Sequence, residues 1–139
     1  MADISVTAAD VGFTTTQPSV RSGTAGETLV EGMAVYLKAA DGKYWKTVVT
    51  GVATSVAAGI VITPAIADEK VQIATKGDIE CGAATKLGEI YVLGGDAAGG
   101  IAAVGDLAEN DYTTVIGFGK TGTNVLEVAI TNTSLLHAA

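Results

Sequence analysis

Short runs of apolar residues follow one another along this chain, separated by turns rich in glycine and polar residues. In residues 71–73 and 125–130 apolar side chains alternate with other residues, as expected of strands whose successive side chains point to opposite faces. No stretch shows the sustained apolar spacing of an amphipathic helix closed by a capping residue. The pattern therefore predicts an all-β fold.

The second half of the chain repeats the pattern of the first. Residues 26–37 read G-x5-G-M-A-V-Y-L, and residues 82–93 return as G-x5-G-E-I-Y-V-L, 56 positions later. A glycine-containing turn follows each copy, and two apolar segments come after it: 58–62 and 71–75 in the first copy, 116–119 and 126–130 in the second. Because two copies are too few for a solenoid, we expect them to pack as halves of one compact β-barrel or β-sandwich.

The length of 139 residues suits one domain with a single modest core. We predict a β domain over residues 25–139, with repeat halves at about 25–80 and 81–133. Residues 1–24 fall outside the repeat and carry few apolar side chains. These include Ile4, Val6, Val11 and Phe13. They are interpreted either as an extra edge strand or a frayed terminus, or as an extended arm that pairs with a partner's sheet edge.

The net charge of −7, with one arginine and no basic run, argues against a nucleic-acid partner. The longest largely apolar stretch, residues 56–66, is interrupted and shorter than the roughly 20 residues of a membrane helix, so no membrane partner is expected. The first five residues lack the features of a secretory signal, and we expect synthesis in the cytoplasm. The single cysteine, Cys81, is expected to be a buried filler without a disulfide.

Candidate chemistry is sparse, and we expect no enzyme, cofactor or metal site. The only histidine, His137, lies two residues from the end of the chain, where a catalytic triad could not easily hold it. One cysteine and one histidine cannot make a structural zinc site, and residues 109–111 lack the pattern of a calcium loop. Residues 119–121 match the end of a phosphate-binding loop, but Thr114 stands where that loop needs glycine.

The aromatic side chains are scattered, and only residues 43–46 place two of them beside lysines. This segment follows the turn dipeptide Asp41-Gly42, so the simplest interpretation is a strand with Tyr44 and Trp45 on opposite faces. The other interpretation makes Trp45 a partly exposed anchor for a protein or a sugar.

Several strings in this chain resemble the small capsid cement, or head decoration, proteins of tailed bacteriophages. They are 32–43 (GMAVYLKAADGK), 57–63 (AAGIVIT), 71–77 (VQIATKG), 87–93 (LGEIYVL) and 98–102 (AGGIA). The resemblance covers roughly residues 24–137. It implies a noncatalytic virion protein that docks on the outer surface of the head, bridges major capsid subunits and forms a homotrimer.

The family supplies no catalytic residues to carry over. Its motifs mark the scaffold and not the docking surface. The resemblance implies no cofactor and a major capsid protein as partner, whereas the interface residues Ile4, Val6, Val11, Phe13 and Trp45 are expected from the N-terminal segment and the tryptophan themselves. The alternative is a receptor- or glycan-binding module of a phage fibre or spike, in which Trp45 and Tyr44 would contact sugar.

Overall fold

The computed structural model describes residues 3–13, 18–95, 97–106, 111–120 and 124–136. The strands are β1 Val11–Phe13, β2 Ser19–Thr24, β3 Ala34–Lys38, β4 Lys43–Lys46, β5 Gly59–Thr63, β6 Lys70–Cys81, β7 Ile90–Leu93, β8 Ile101–Ala103, β9 Tyr112–Gly119 and β10 Val125–Leu136. Two short 3₁₀ helices, Ala8–Asp10 and Val104–Asp106, complete the regular structure of these residues. The all-β prediction is confirmed.

One antiparallel sheet contains all ten of these strands. Its order is β4-β3-β5-β6-β10-β9-β7-β8, and β1 and β2 pair with β6. The sheet curls into a half-barrel. The sequence did not decide between a β-barrel and a β-sandwich. The observed form is a single curled sheet.

The order of structural elements across the sheet is the same when counted from either edge. A hairpin lies at each edge, β3–β4 or β7–β8, followed by β5 or β9 and then by one of the 12-residue strands β6 and β10. Each predicted half thus contributes four strands in equivalent places. The internal repeat itself stays a prediction.

Strand β6 joins the two halves and bends at Gly77, whose φ of +103° lies in the region open mainly to glycine. Lys76 pairs with Ser19 on one edge of β6 and with Ala129 on the other. Before the bend β6 pairs with β5 and β2, and after it β6 pairs with β10 and β1. By this register β5 and β10 share one edge of β6 and diverge from each other near the bend.

The smaller core lies in the first half. Its buried side chains are Ala25, Leu29, Val35, Tyr44, Val61, Ala65, Val71 and Ile73. The strands curl around it until β4 meets the residues that follow β2, where the Gly26 N–H donates to the Tyr44 carbonyl at 2.8 Å. This closure buries the Tyr44 ring, which is 3% exposed.

The larger core lies inside the curl of the second half. Its main buried side chains are Ile60, Ile79, Tyr91, Leu93, Ile101, Ile116, Leu126 and Val128. The described N-terminal residues fill the gap between β8 and β6: the Ile4 N–H donates to the Ile101 carbonyl at 2.8 Å, and the Thr7 N–H donates to the Gly82 carbonyl at 2.7 Å. Strand β1 then pairs with the end of β6.

The extended N-terminal arm is not confirmed. Ile4, Val6 and Val11 are half-buried and pack against the larger core, because the gap beside β8 exposes apolar surface that they cover. Strands β1 and β2 lie along the outer edge of β6, as the alternative of an extra edge strand describes. Phe13, the last residue of β1, is 48% exposed.

Candidate interaction surfaces

The five predicted interface residues do not form one surface. Ile4, Val6 and Val11 face the larger core, whereas Phe13 lies beside them with about half of its surface exposed. Trp45 belongs to β4, at the far edge of the other half. The N-terminal residues and Trp45 are therefore two separate places in the fold.

Trp45 is held by its own hairpin. The Asp41-Gly42 turn joins β3 to β4, and Gly42 has a φ of +69°. The Asp41 carboxylate accepts the Lys43 backbone N–H at 2.9 Å and the Trp45 indole N–H at 3.1 Å. The Lys38 ammonium lies 4.5 Å from the centre of the indole ring, a cation–π distance.

The charges of this hairpin are already paired within the chain. The Lys43 backbone N–H, with help from the Trp45 indole, holds the pKa of Asp41 below its ordinary value. The Lys43 ammonium donates to the Asp68 carboxylate, which raises the pKa of Lys43. These contacts connect the charged side chains of the hairpin to other groups of the same chain, and exposed pairs of this kind contribute little to stability.

The outer edge of β4 is also covered. A Cβ atom at Gly26 would lie 2.2 Å from the Trp45 ring, so Gly26 is what allows the chain to cross so close to the indole. The Lys46 backbone N–H donates to the Glu27 carboxylate at 3.0 Å. Such contacts block further strand pairing at an edge, and they leave Trp45 half-buried rather than free.

A surface that the sequence did not predict lies on the face of the second half opposite the larger core. Ile90 and Phe118 are directly paired on β7 and β9, and Val104 follows β8 one residue beyond the partner of Tyr91. Val104, the first residue of the second 3₁₀ helix, thus follows β8 beside the exposed pair Ile90 and Phe118, and the three side chains have exposed fractions of 41%, 45% and 37%. We call these three residues the apolar row.

The apolar row ends at a group of charged side chains. Phe118 pairs with Glu127 on β10, and Glu127 pairs with Asp78 on β6. The Lys120 ammonium lies 3.3 Å from each of these two carboxylates. Hydrogen bonds first to Asp78 and then to Glu127 raise the pKa of Lys120.

Nothing in the sequence alone could reveal this row. The turn residue Leu87, 74% exposed, precedes it, and Phe118 sits between two glycines. Apolar residues in predicted strands are normally assigned to the core, and no local pattern marks Ile90 and Phe118 as exceptions. Only the strand register shows that they share the solvent-exposed face.

The search for metal-binding side chains and membrane-spanning helices covers the described residues. Within these ranges no group of three or more His, Cys, Asp or Glu side chains could hold a metal ion, and no helix is long and apolar enough to cross a membrane. Cys81 is buried as predicted, and its burial raises the pKa of the thiol. His137, Glu109, Asn110 and Thr121 lie outside the described residues.

A groove of about 330 Å³ runs between the N-terminal residues and two loops of the body. Its titratable side chains are Asp3 and Glu31. The Asp3 carboxylate accepts the Ala97 backbone N–H at 3.2 Å, which ties the N-terminal residues to the loop before β8. The Asp3 carboxylate thus holds the N-terminal residues in place against the body.

Comparison of the chain with protein-family models, with curated proteins and with solved structures found no match.

Proposed function

We propose that this chain is a noncatalytic virion structural protein that binds the outer surface of a phage head and stabilises it by bridging major capsid subunits. The observation that carries the proposal is the ordered series of strings that resemble capsid cement proteins. These strings include the residues of β3, β5, β7 and most of β6, so the resemblance lies in the strands that build both halves of the sheet.

The physical demands of a cement protein suit a fold of this kind. A protein that binds only the mature, expanded lattice stabilises that lattice by mass action. Many copies at repeated positions turn modest contacts into strong retention through effective concentration. The net charge of −7 keeps the free subunit soluble and suits a position outside the shell, away from the packaged genome.

We further propose that the protein acts as a homotrimer at threefold and quasi-threefold positions of the lattice. Lattice geometry and the family resemblance support this oligomer. Its partner in the virion is the major capsid protein, and its place is the outer capsid surface after synthesis in the host cytoplasm.

The glycan-binding alternative receives less support from the structure. That function required Tyr44 and Trp45 to contact sugar together, yet Tyr44 is 3% exposed and belongs to the smaller core. The Trp45 ring carries the Lys38 ammonium over it and has Gly26 packed closely against it. A sugar would have to displace these contacts before it could stack on the indole.

Heat stability of filled heads tests the proposed function. Heads that lack this protein are incubated with increasing amounts of the purified chain, and DNA release is followed with a fluorescent dye during heating. We expect release to move to a higher temperature as the heads become decorated. An unchanged release temperature at saturating protein would contradict the proposal. Unexpanded proheads are the control for binding, since the protein is proposed to bind only the expanded lattice.

A further inference from the structure

The second half of the sheet has a place for one more extended segment, and the chain's own N-terminal residues fill it. The Ile4 N–H donates to the Ile101 carbonyl on β8, and the Thr7 N–H donates to the Gly82 carbonyl just beyond β6. Strand β1 then pairs with the end of β6. Residues 3–13, which we call the N-terminal segment, therefore close the second half between β8 and β6.

The groove that receives the N-terminal segment is shaped for it. A Cβ atom at Gly82 would lie 2.5 Å from the Thr7 carbonyl oxygen, and one at Gly32 would lie 2.5 Å from the Val6 Cγ1 atom. Glycine at these two positions lets the segment lie this close to the body. The structure thus shows what the groove binds, and every copy of this chain carries that sequence.

The connection between the N-terminal segment and the body has reach to spare. Phe13 pairs with Ile79 and Ser19 pairs with Lys76, three positions apart on β6 (79 − 76). Three positions on a strand span about 10 Å, whereas residues 14–18 can bridge about 20 Å when extended. A second copy whose β6 lies within this reach can receive the segment with every contact unchanged.

We propose that in the trimer each copy places its N-terminal segment in the groove of a neighbouring copy, so that three exchanged segments close a ring. This inference rests on the proposed function, which includes the trimer, and adds the contact that joins its copies. Exchange of a terminal element needs no new complementary surface, and a head-to-tail exchange closes when the rotation between copies does.

The kind of contact favours exchange in a protein of this charge. Copies of net charge −7 repel one another wherever their surfaces meet. The N-terminal segment is held mainly by backbone hydrogen bonds and by Ile4, Val6 and Val11, which pack against the larger core. These contacts depend little on charge. Copies held side by side on a lattice also raise the effective concentration of a neighbour's segment.

The single cysteine provides the test, because Val11 lies directly opposite Cys81 in the β1–β6 pair. Directly opposed strand residues have a Cα separation that a disulfide can bridge. Oxidation of the Val11→Cys variant therefore links β1 to the β6 that it pairs with. On a non-reducing gel, a link within one copy leaves a monomer, whereas exchanged segments give linked dimers and trimers.

A mixture of two chains isolates the exchanged link. A chain with Val11→Cys and Cys81→Ser is refolded together with the wild-type chain, concentrated at high salt or bound to expanded heads, and oxidised. Only exchange can join these two chains, and in a ring of randomly mixed copies about half of the variant segments meet a wild-type neighbour. We expect linked pairs to approach this share.

Two controls accompany the mixture. The double variant alone reports any link between two substituted positions. Gly12→Cys, one residue along β1 and opposite Glu80, should form no link in any arm. Unchanged thermal unfolding of the reduced variants verifies their folds.

The outcomes separate the two proposals. If Val11→Cys gives only monomers with an internal link and the mixture gives no linked pair, the inference is wrong, while binding of the same chain to heads leaves the proposed function standing. If the wild-type chain does not bind heads, the proposed function fails, and linked pairs in solution still support exchange. If Val11→Cys forms no link with Cys81 of either chain, the β1–β6 pairing fails and the inference with it.

Discussion

At the scale of single residues, Asn132 replaces a strand partner where β5 and β10 diverge. Its side-chain oxygen accepts the Ala57 N–H at 2.9 Å, and its side-chain nitrogen donates to the Ala57 carbonyl at 3.2 Å. Ala57 is 5% exposed, so little water is available for its backbone groups. One amide thereby satisfies both backbone groups of a buried residue.

We predict that Asn132→Ala lowers the free energy of unfolding by about 1–2 kcal/mol, because it leaves two poorly hydrated backbone groups without partners. Urea denaturation measures the change. Thr131→Ala is the control, since Thr131 is an exposed neighbour on the same strand. Equal unfolding free energies for the two variants would contradict this role of Asn132.

The single tryptophan reports on the Asp41 carboxylate beside it. Folding lowers the pKa of Asp41, so the stabilisation is complete above its ordinary pKa of 3.8 and is lost as the pH falls through the lower value of the folded state. We predict a change in Trp45 fluorescence with a midpoint below pH 3.8. Asp41→Asn should lack this transition; the same transition in that variant would assign it to another group.

Sequence could predict the residues of the β3–β4 hairpin but not their full environment. The Asp41-Gly42 turn and the opposite faces of Tyr44 and Trp45 follow from local geometry, and the structure has both. The close approach of Gly26 to Trp45 joins residues far apart in the chain, and no local pattern encodes it. The same holds for the apolar row, which depends on register between β7 and β9.

At the scale of elements, the N-terminal residues 3–13 complete the second half of the sheet. The sequence showed four apolar residues without a regular period, which fits both a free arm and a docked segment. Only the apolar gap beside β8 decides between these, and that gap arises from the packing of distant strands. The central segments of β6 and β10 were predicted, but their 12-residue lengths were not, because polar and glycine residues interrupt the alternation.

We predict that Val6→Ala and Ile4→Ala each lower the free energy of unfolding by about 1–2 kcal/mol, as expected for half-buried aliphatic side chains. Phe13→Ala should cost under about 1 kcal/mol, since a half-exposed residue at the end of β1 loses less burial. Thermal and urea denaturation compare the three variants. A Phe13→Ala cost equal to that of Val6→Ala would contradict the docked arrangement.

Deletion of residues 2–13 should accordingly destabilise the domain and expose part of the larger core. We expect a lower melting temperature and increased binding of an apolar dye. An extended arm that contacts only a partner would instead leave the fold intact after this deletion. An unchanged melting temperature would favour that interpretation over the docked segment.

At the scale of the whole molecule, the acidic net charge opposes formation of the proposed trimer. Subunits of net charge −7 repel one another, and salt screens that repulsion. We predict that light scattering coupled to size-exclusion chromatography shows a larger share of trimer as ionic strength rises. A stable monomer at high protein concentration and high salt would count against a preformed trimer.

The measurement that tests the central claim most directly is the number of copies bound per head. Purified protein is mixed with expanded, undecorated heads, the heads are pelleted, and the bound chain is quantified by gel densitometry against the major capsid protein. The proposed function predicts saturation at a copy number that matches the threefold or subunit positions of the lattice. Saturation at a few tens of copies, or no binding, would contradict it and support a fibre or spike component.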